Sequence, residues 1–531
     1  MGSLVIKLHT LLLITVTLNI ASCKTLEGAK GALTNLVGNE SYNDFQGKLI
    51  DQPHIQAHRT KNLDVQDPNL ALSYSGEKIP TSHVRRHTIV EAPTLQRYVQ
   101  AIANKLANAW SDSSAKTNVI ITNSFDYSVA VDARGNILVP IGFIFNAESD
   151  DEVAMMLAHE LSHLFLNHHA RAESFEEQQE QVDTLAFLVQ KANILKDSEL
   201  IDTSSGTELK YEPTQQGQKN IEKASYYANL INTFSNDIWS TAWGRKQEEE
   251  ADLLGMDLAT QAGYSPRASR TCLQRLDSIQ KTKQGHLEQL YNLKLSAMGN
   301  AIETLDIGTM QTEIDSTKEQ LLGAAANTVT DWFKETHEDP IKRELALRHY
   351  VKREHAQHLR RRVDNDSWEQ IRNADFIREL QISYRAARNI NVFLADDKPE
   401  QAKAFVDQLL QSDIHNQPGL SEALFNYYQY INNPKLAEQH LLNINEWSFA
   451  SVDTYRKAIE VYKVRKDYNN VIKFVDSAKD TFNNDEIFLL EEILAAYQVN
   501  DTQRLESALS ACKDYPDKVP DCQEFETKVD F

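Results

Sequence analysis

The feature that most constrains this chain is the stretch from Val153 to Leu166, apolar throughout except for His159-Glu160-Leu161-Ser162-His163. So apolar a run, with no proline in it, is predicted to form a buried helix. Residues four apart share a helix face, so His159 and His163 point the same way, with Glu160 beside them. Two imidazoles and a carboxylate are costly inside an apolar helix unless they have partners. Upstream, Ser149-Asp150-Asp151-Glu152 has capping-box spacing and places acidic residues in the first turn.

Two imidazoles at this spacing suit Zn²⁺, and Glu160 falls where a general base can reach a water activated by the metal. Such a site needs a third protein ligand and leaves one position open. A second strong helix, about Lys246 to Ala262, is stopped by Gly263 and Pro266 and carries Glu248-Glu249-Glu250-Ala251-Asp252. Glu248 and Asp252 lie on one face of it. Glu248 can complete a His₂Glu set, and Asp252 can accept a hydrogen bond from a ligating imidazole. Spacing alone does not choose among the three glutamates.

The pair His-Glu-x-x-His and Glu-x-x-Ala-Asp resembles the signature of the HtpX and CaaX-prenyl-protease family of gluzincin peptidases. With the repeats described below, the chain is similar to the BepA-like periplasmic proteases and chaperones of Gram-negative bacteria. The resemblance covers roughly residues 90–350 and, more loosely, the repeats. It implies Glu248 as the third ligand of one Zn²⁺ per chain, Glu160 as the catalytic base, Asp252 behind the ligands and Arg245 as the arginine preceding the second motif. It also implies that Val129 to Phe145 form an edge that binds substrate backbone by strand addition, near Val139. A Thr-His-Pro segment followed by Arg is matched by Thr336-His337-Glu338-Asp339-Pro340 with Arg343, which implies a catalytic role for His337 although Glu-Asp intervenes before the proline. His168 and His169 fit a family tendency without an assigned task.

At 531 residues the chain is too long for one core. Its net charge of −21, with no basic stripe, excludes a nucleic-acid binder. The start reads as a signal peptide over 1–22: Lys7, then the apolar run Leu11 to Leu18, too short to span a bilayer. Ile20-Ala21-Ser22-Cys23 resembles a lipobox, with Cys23 as the lipidated residue. In an oxidising compartment Cys512 and Cys522 read as a local disulfide, and Cys272 as a buried apolar residue.

The pattern between these motifs predicts a mainly α fold with a small β-sheet, which the resemblance implies is a gluzincin-type metalloprotease domain followed by a tetratricopeptide-like α-solenoid. Residues 23–92 read as a tether and irregular segment, and 93–350 as the zinc metalloprotease domain. Within it come a helix from Thr94 to Leu106, then strands at Val119-Ile121, Val129-Val131 and Ile137-Pro140. Residues 173–240 read as long helices with a solvated loop near Ser204-Ser205-Gly206, and more helix is expected from Ala268 to about Val329. Over 376–525, Tyr428, Tyr462 and Tyr497 recur near the 34-residue tetratricopeptide period, each followed by a helix carrying Ala437, Val471 or Leu505.

These readings converge on a zinc-dependent endopeptidase of cell-envelope, outer-membrane protein quality control. It is expected in the periplasm, anchored to the outer membrane as a lipoprotein with no other membrane contact. Its partners are protein substrates, outer-membrane or periplasmic, and further proteins held by the repeats. The competing readings are a lipid-anchored chaperone or assembly adaptor with a mostly latent zinc site, and a protein for which the metal is purely structural.

Overall fold

In a computed structural model the described residues are 46–59, 88–110, 117–131, 135–168, 198–203, 206–211, 245–278, 340–482, 484–485, 487–513, 515 and 522. Cys23, His169 and His337 lie outside them, as do the signal segment and most of the stretch read as a tether. Contacts divide the chain into Met1–Gln46 and Gly47–Phe531, and the account below concerns the second unit.

A short 3-10 turn (Leu49–Asp51) leads into α1 (Pro53–Arg59). The sequence suggests only an irregular tether over this stretch. Its sparse apolar residues, Leu49, Ile50 and Ile55, are all buried, and Ile50 donates its amide to Asp257 at 2.9 Å. Three well-placed side chains and a buried acceptor suffice to hold it, too few to show as periodicity.

Next come α2 (Pro93–Trp110), β1 (Asn118–Thr122), β2 (Ala130–Val131), β3 (Asn136–Pro140), α3 (Ile141–Asn146) and α4 (Asp150–Phe165). α2 buries Leu95, Val99, Ile102 and Leu106, its apolar stripe. The sheet has the order β1-β3-β2: β3 runs parallel to β1, with Val139 opposite Ile121, and antiparallel to β2, with Ile137 opposite Val131. At Val139, the position expected to offer an edge, β3 is paired with β1 alone, because its pairing with β2 covers only Ile137 and Leu138. β3 is paired on both sides at Ile137 and Leu138, where its text is apolar, and β2 is an outer strand. Pro140 closes β3 by serving as N-cap of α3.

A hairpin, β4 (Ser198–Thr203) and β5 (Gly206–Tyr211), stands where helices were expected. The loop signal at Ser204-Ser205-Gly206 falls between its strands. Ile201, Thr203 and Thr207 give the flanks the β-branched residues that favour strands.

α5 (Arg245–Gln261) packs along α4, and residues 268–278 are again helical. α6 (Pro340–Glu354) and α7 (Asp366–Arg372) follow. Among the described residues four helix pairs follow: α8 (Asp375–Ala395) with α9 (Pro399–Leu409), α10 (Pro418–Tyr430) with α11 (Pro434–Leu442), α12 (Val452–Val464) with α13 (Tyr468–Phe482), and α14 (Leu489–Gln498) with α15 (Thr502–Cys512). In each, the first helix ends on a left-handed residue: Asp397, Asn432, Lys466 and Asn500. The next amide then donates back to Phe393, Tyr428, Tyr462 or Ala496. The structural register therefore runs through Ala496, not Tyr497, which is 41% exposed. Second helices bury Ala402, Ala437, Val471 and Leu505 at matching places. Among the described residues no helix is long and apolar enough to cross a membrane.

Candidate metal centre

Ser149 caps α4, its hydroxyl accepting the Glu152 amide at 3.1 Å, so the helix starts where its capping box predicted. α4 is buried over almost its whole length, and the histidine face meets α5. Gly255 of α5 makes this approach possible: a Cβ there would stand 2.9 Å from the His159 backbone nitrogen.

His159, His163 and Glu248 are thereby brought together, all buried, with one donor atom of each within 4.8 Å of the others. Glu248 lies 3.7 Å from both His159 Nε2 and His163 Nε2. Their other ring nitrogens have their own partners. His159 Nδ1 stands 2.9 Å from Asp252 Oδ1, as an acid behind a ligand should. His163 Nδ1 lies 2.8 Å from His168 Nδ1, and His168 Nε2 lies 3.3 Å from Glu250.

These partners assign the tautomers. Asp252, 2.9 Å from His159 Nδ1 though outside hydrogen-bonding geometry, favours the proton on that nitrogen electrostatically. Glu250 takes the Nε2 proton of His168, whose Nδ1 can then accept from His163. Both Nε2 atoms are left with lone pairs facing one another 3.2 Å apart. That arrangement is repulsive unless a cation lies between them. The spacing is also close to the roughly 3.3 Å that two nitrogens at tetrahedral angles on one Zn²⁺ require. The donor set fits a divalent metal of this kind.

Arg343, from α6, closes the back of the site. It donates to both oxygens of Asp252, at 2.7 and 2.8 Å, and its third nitrogen reaches Glu248 at 2.8 Å. This fork holds the Asp252 carboxyl well below the usual carboxylate range despite burial. Burial lowers the His159 imidazole, but Asp252 and Glu248 outweigh it and leave its pKa raised. Glu248 is raised, by burial first, with Arg343 and His159 pulling against it.

Glu160 sits beside the cluster at 3% exposure. Burial pushes its carboxyl up to about 8, while His159, Arg343 and a hydrogen bond from the Val131 amide pull the other way. Its Oε2 has no hydrogen-bond partner among the described residues. A carboxyl with one oxygen held by β2 and the other free, titrating near neutrality, can both take and return a proton.

Arg245 begins α5. Cys512 and Cys522 are joined, their Cα atoms 6.5 Å apart, and Cys272 is buried and free. Sequence reasoning left Arg343 as one letter of a motif and gave His168 and Glu250 no work. His168 lies beyond the end of α4, five residues from His163, so no helical spacing announces the relay.

A His-Glu-x-x-His helix facing a carboxylate on a second helix defines a metallopeptidase-type centre. Residues 93–350 match the model of Peptidase family M48, so this chain carries a Peptidase M48 domain. It is also similar to the Beta-barrel assembly-enhancing protease of Escherichia coli (strain K12), at 22% identity over 188 residues, 35% of this chain and 34% of that one. The protein of the same name from Shigella flexneri matches to the same extent. The matched stretch thus spans about a third of the length of these relatives.

Proposed function

We propose that the protein is a zinc-dependent endopeptidase acting on misfolded or stalled proteins of the cell envelope, with Cys23 as a lipid anchor in the outer membrane and the helix pairs as tetratricopeptide-like repeats that hold the client. The observation that carries the reading is the cluster of His159, His163 and Glu248 with Glu160 beside it. Zn²⁺ held by these three would supply the Lewis acidity that acidifies water and polarises a peptide carbonyl. Glu160 accepts the proton of the attacking water and returns it to the leaving amine. The client backbone lies along β2, the outer strand whose Val131 amide also holds Glu160.

Glu160→Gln keeps the side-chain shape and removes the base. It should retain zinc and lose proteolysis of a denatured substrate by 10²-fold or more. Full activity in a zinc-loaded variant would sink the account. Proteomic comparison of membrane fractions from wild-type and Glu160→Gln cells would then identify clients.

One observation favours the chaperone reading of the same domain: His163 is 0% and Glu160 3% exposed, a centre closed to solvent. On that reading Glu160→Gln supports client assembly as well as wild type does.

A further inference from the structure

At the seam between the helix pairs and the peptidase domain, a cavity of about 310 Å³ is lined by Phe125, Phe145, Asn146, Arg385, Arg388 and Asn389. Its aromatic wall is fixed by backbone. The Gly142 amide donates to Ser124 at 3.0 Å, and a Cβ on Gly142 would stand 2.3 Å from the Phe125 carbonyl carbon, so α3 and the loop before β2 approach as glycine alone permits. The Phe125 and Phe145 rings lie 6.2 Å apart, tilted by 58°.

Over these rings stand two cations of α8. The Arg385 guanidinium is 5.8 Å from the Phe145 centroid and that of Arg388 is 5.1 Å from Phe125. Three residues apart, they share a helix face. Both are exposed, and neither makes an ion pair among the described residues. Some basic side chains of the helix pairs find acids, Arg378 with Asp375, Lys403 with Asp407 and Arg465 with Glu438, whereas these two arginines do not. In a chain with 76 acidic residues against 55 basic, these two guanidiniums remain available to an incoming anion. The acid whose field reaches Arg388, Asp126, is buried and already bonded to the Ser124 hydroxyl.

We infer that this seam binds a carboxylate carried by a peptide. A guanidinium matches a carboxylate through two parallel N–H donors, and resting it on a ring sets its orientation before the ligand arrives. The Phe rings take the apolar side chain next to the carboxylate, and the amides of Asn146 and Asn389 can bond the peptide backbone. The carboxylate can come from a chain terminus or from an Asp or Glu side chain. This site lies apart from the metal ligands and does not depend on proteolysis, so its failure would leave the peptidase reading standing.

Fluorescence anisotropy on the full-length protein tests it with three fluorescein-labelled probes: Gly-Ser-Gly-Ser-Leu-Phe with a free carboxylate, the same peptide amidated, and an amidated version with Glu in place of the second Ser. Saturable binding of the free acid, at least 10-fold weaker on amidation, assigns the terminus; recovery with the Glu probe assigns the side chain. Arg385→Gln with Arg388→Gln should weaken binding by 10-fold or more, and added salt should weaken it in wild type. Unchanged thermal melting verifies that the double variant folds; if it does not, each single variant carries the test. Equal binding of all three probes, equal binding by the arginine variants, or no saturable binding at all would overturn the inference.

Discussion

At the scale of single residues, Arg343 couples the metal centre to the rest of the domain. It is buried against two carboxylates, Glu248 and Asp252, which without it would be left with too little positive charge. Breaking such a buried cluster from one side costs about 3–5 kcal/mol. Arg343→Met should therefore lower the urea midpoint of the metal-free protein accordingly, and saturating zinc should recover part of the loss. Asp126 offers a pH signature instead. Burial raises its carboxyl to about 6, with Ser124 and Arg388 opposing. The folded state then binds more protons than the unfolded one between about pH 4 and 6, so this residue makes stability fall as pH rises through that window. A shift of this size amounts to about 3 kcal/mol. The advantage of Asp126→Asn over wild type should grow by up to that amount between pH 4 and pH 7, read from urea midpoints. A flat difference across the window would contradict the assignment.

At the scale of elements, the centre depends on how closely α4 and α5 approach. His159 and His163 come from one helix and Glu248 from the other, so a shift between them separates ligands without touching one. Gly255→Ala imposes such a shift, because its Cβ would meet His159 backbone at 2.9–3.0 Å. Zinc affinity should fall by an order of magnitude in a competition titration while helix content stays the same. Legibility also divides at this scale. The metal helix, its cap, Asp252 and the second motif were readable because each is a local pattern of period 3.6. The position of β3 inside the sheet was not, since three short apolar strands do not state their own order. The first of the four pairs falls inside the range expected for the repeats but without a tyrosine anchor, because its turn is made by Phe393 and Asp397. The last register slipped by one because Tyr497 lies next to the residue that makes the turn.

At the scale of the whole molecule, the peptidase domain and the helix pairs meet through buried polar contacts. Trp368 of α7 is fully buried, donates its indole N–H to the Ala147 carbonyl at 2.8 Å and packs on Tyr98 of α2. Further along, the Ile89 amide donates to Phe449, and Gln417 reaches the Glu91 carbonyl. Ala147 lies between α3 and α4, so the residue that seats the helix pairs also fixes the start of the metal helix. The two parts should therefore unfold together. Trp368→Ala leaves a large void, worth about 3–5 kcal/mol, while Arg372 still donates to the Ala147 carbonyl. It should lower the melting temperature of the peptidase domain, followed by loss of zinc, and that of the helix pairs, followed by near-ultraviolet signals from Trp447, by the same amount. If zinc were released at an unchanged temperature while the helix pairs melted early, the domains would be independent and the seam only a contact. Coincident transitions would mean that a client drawn onto the helix pairs is held by the same framework that sets Glu248 against His159.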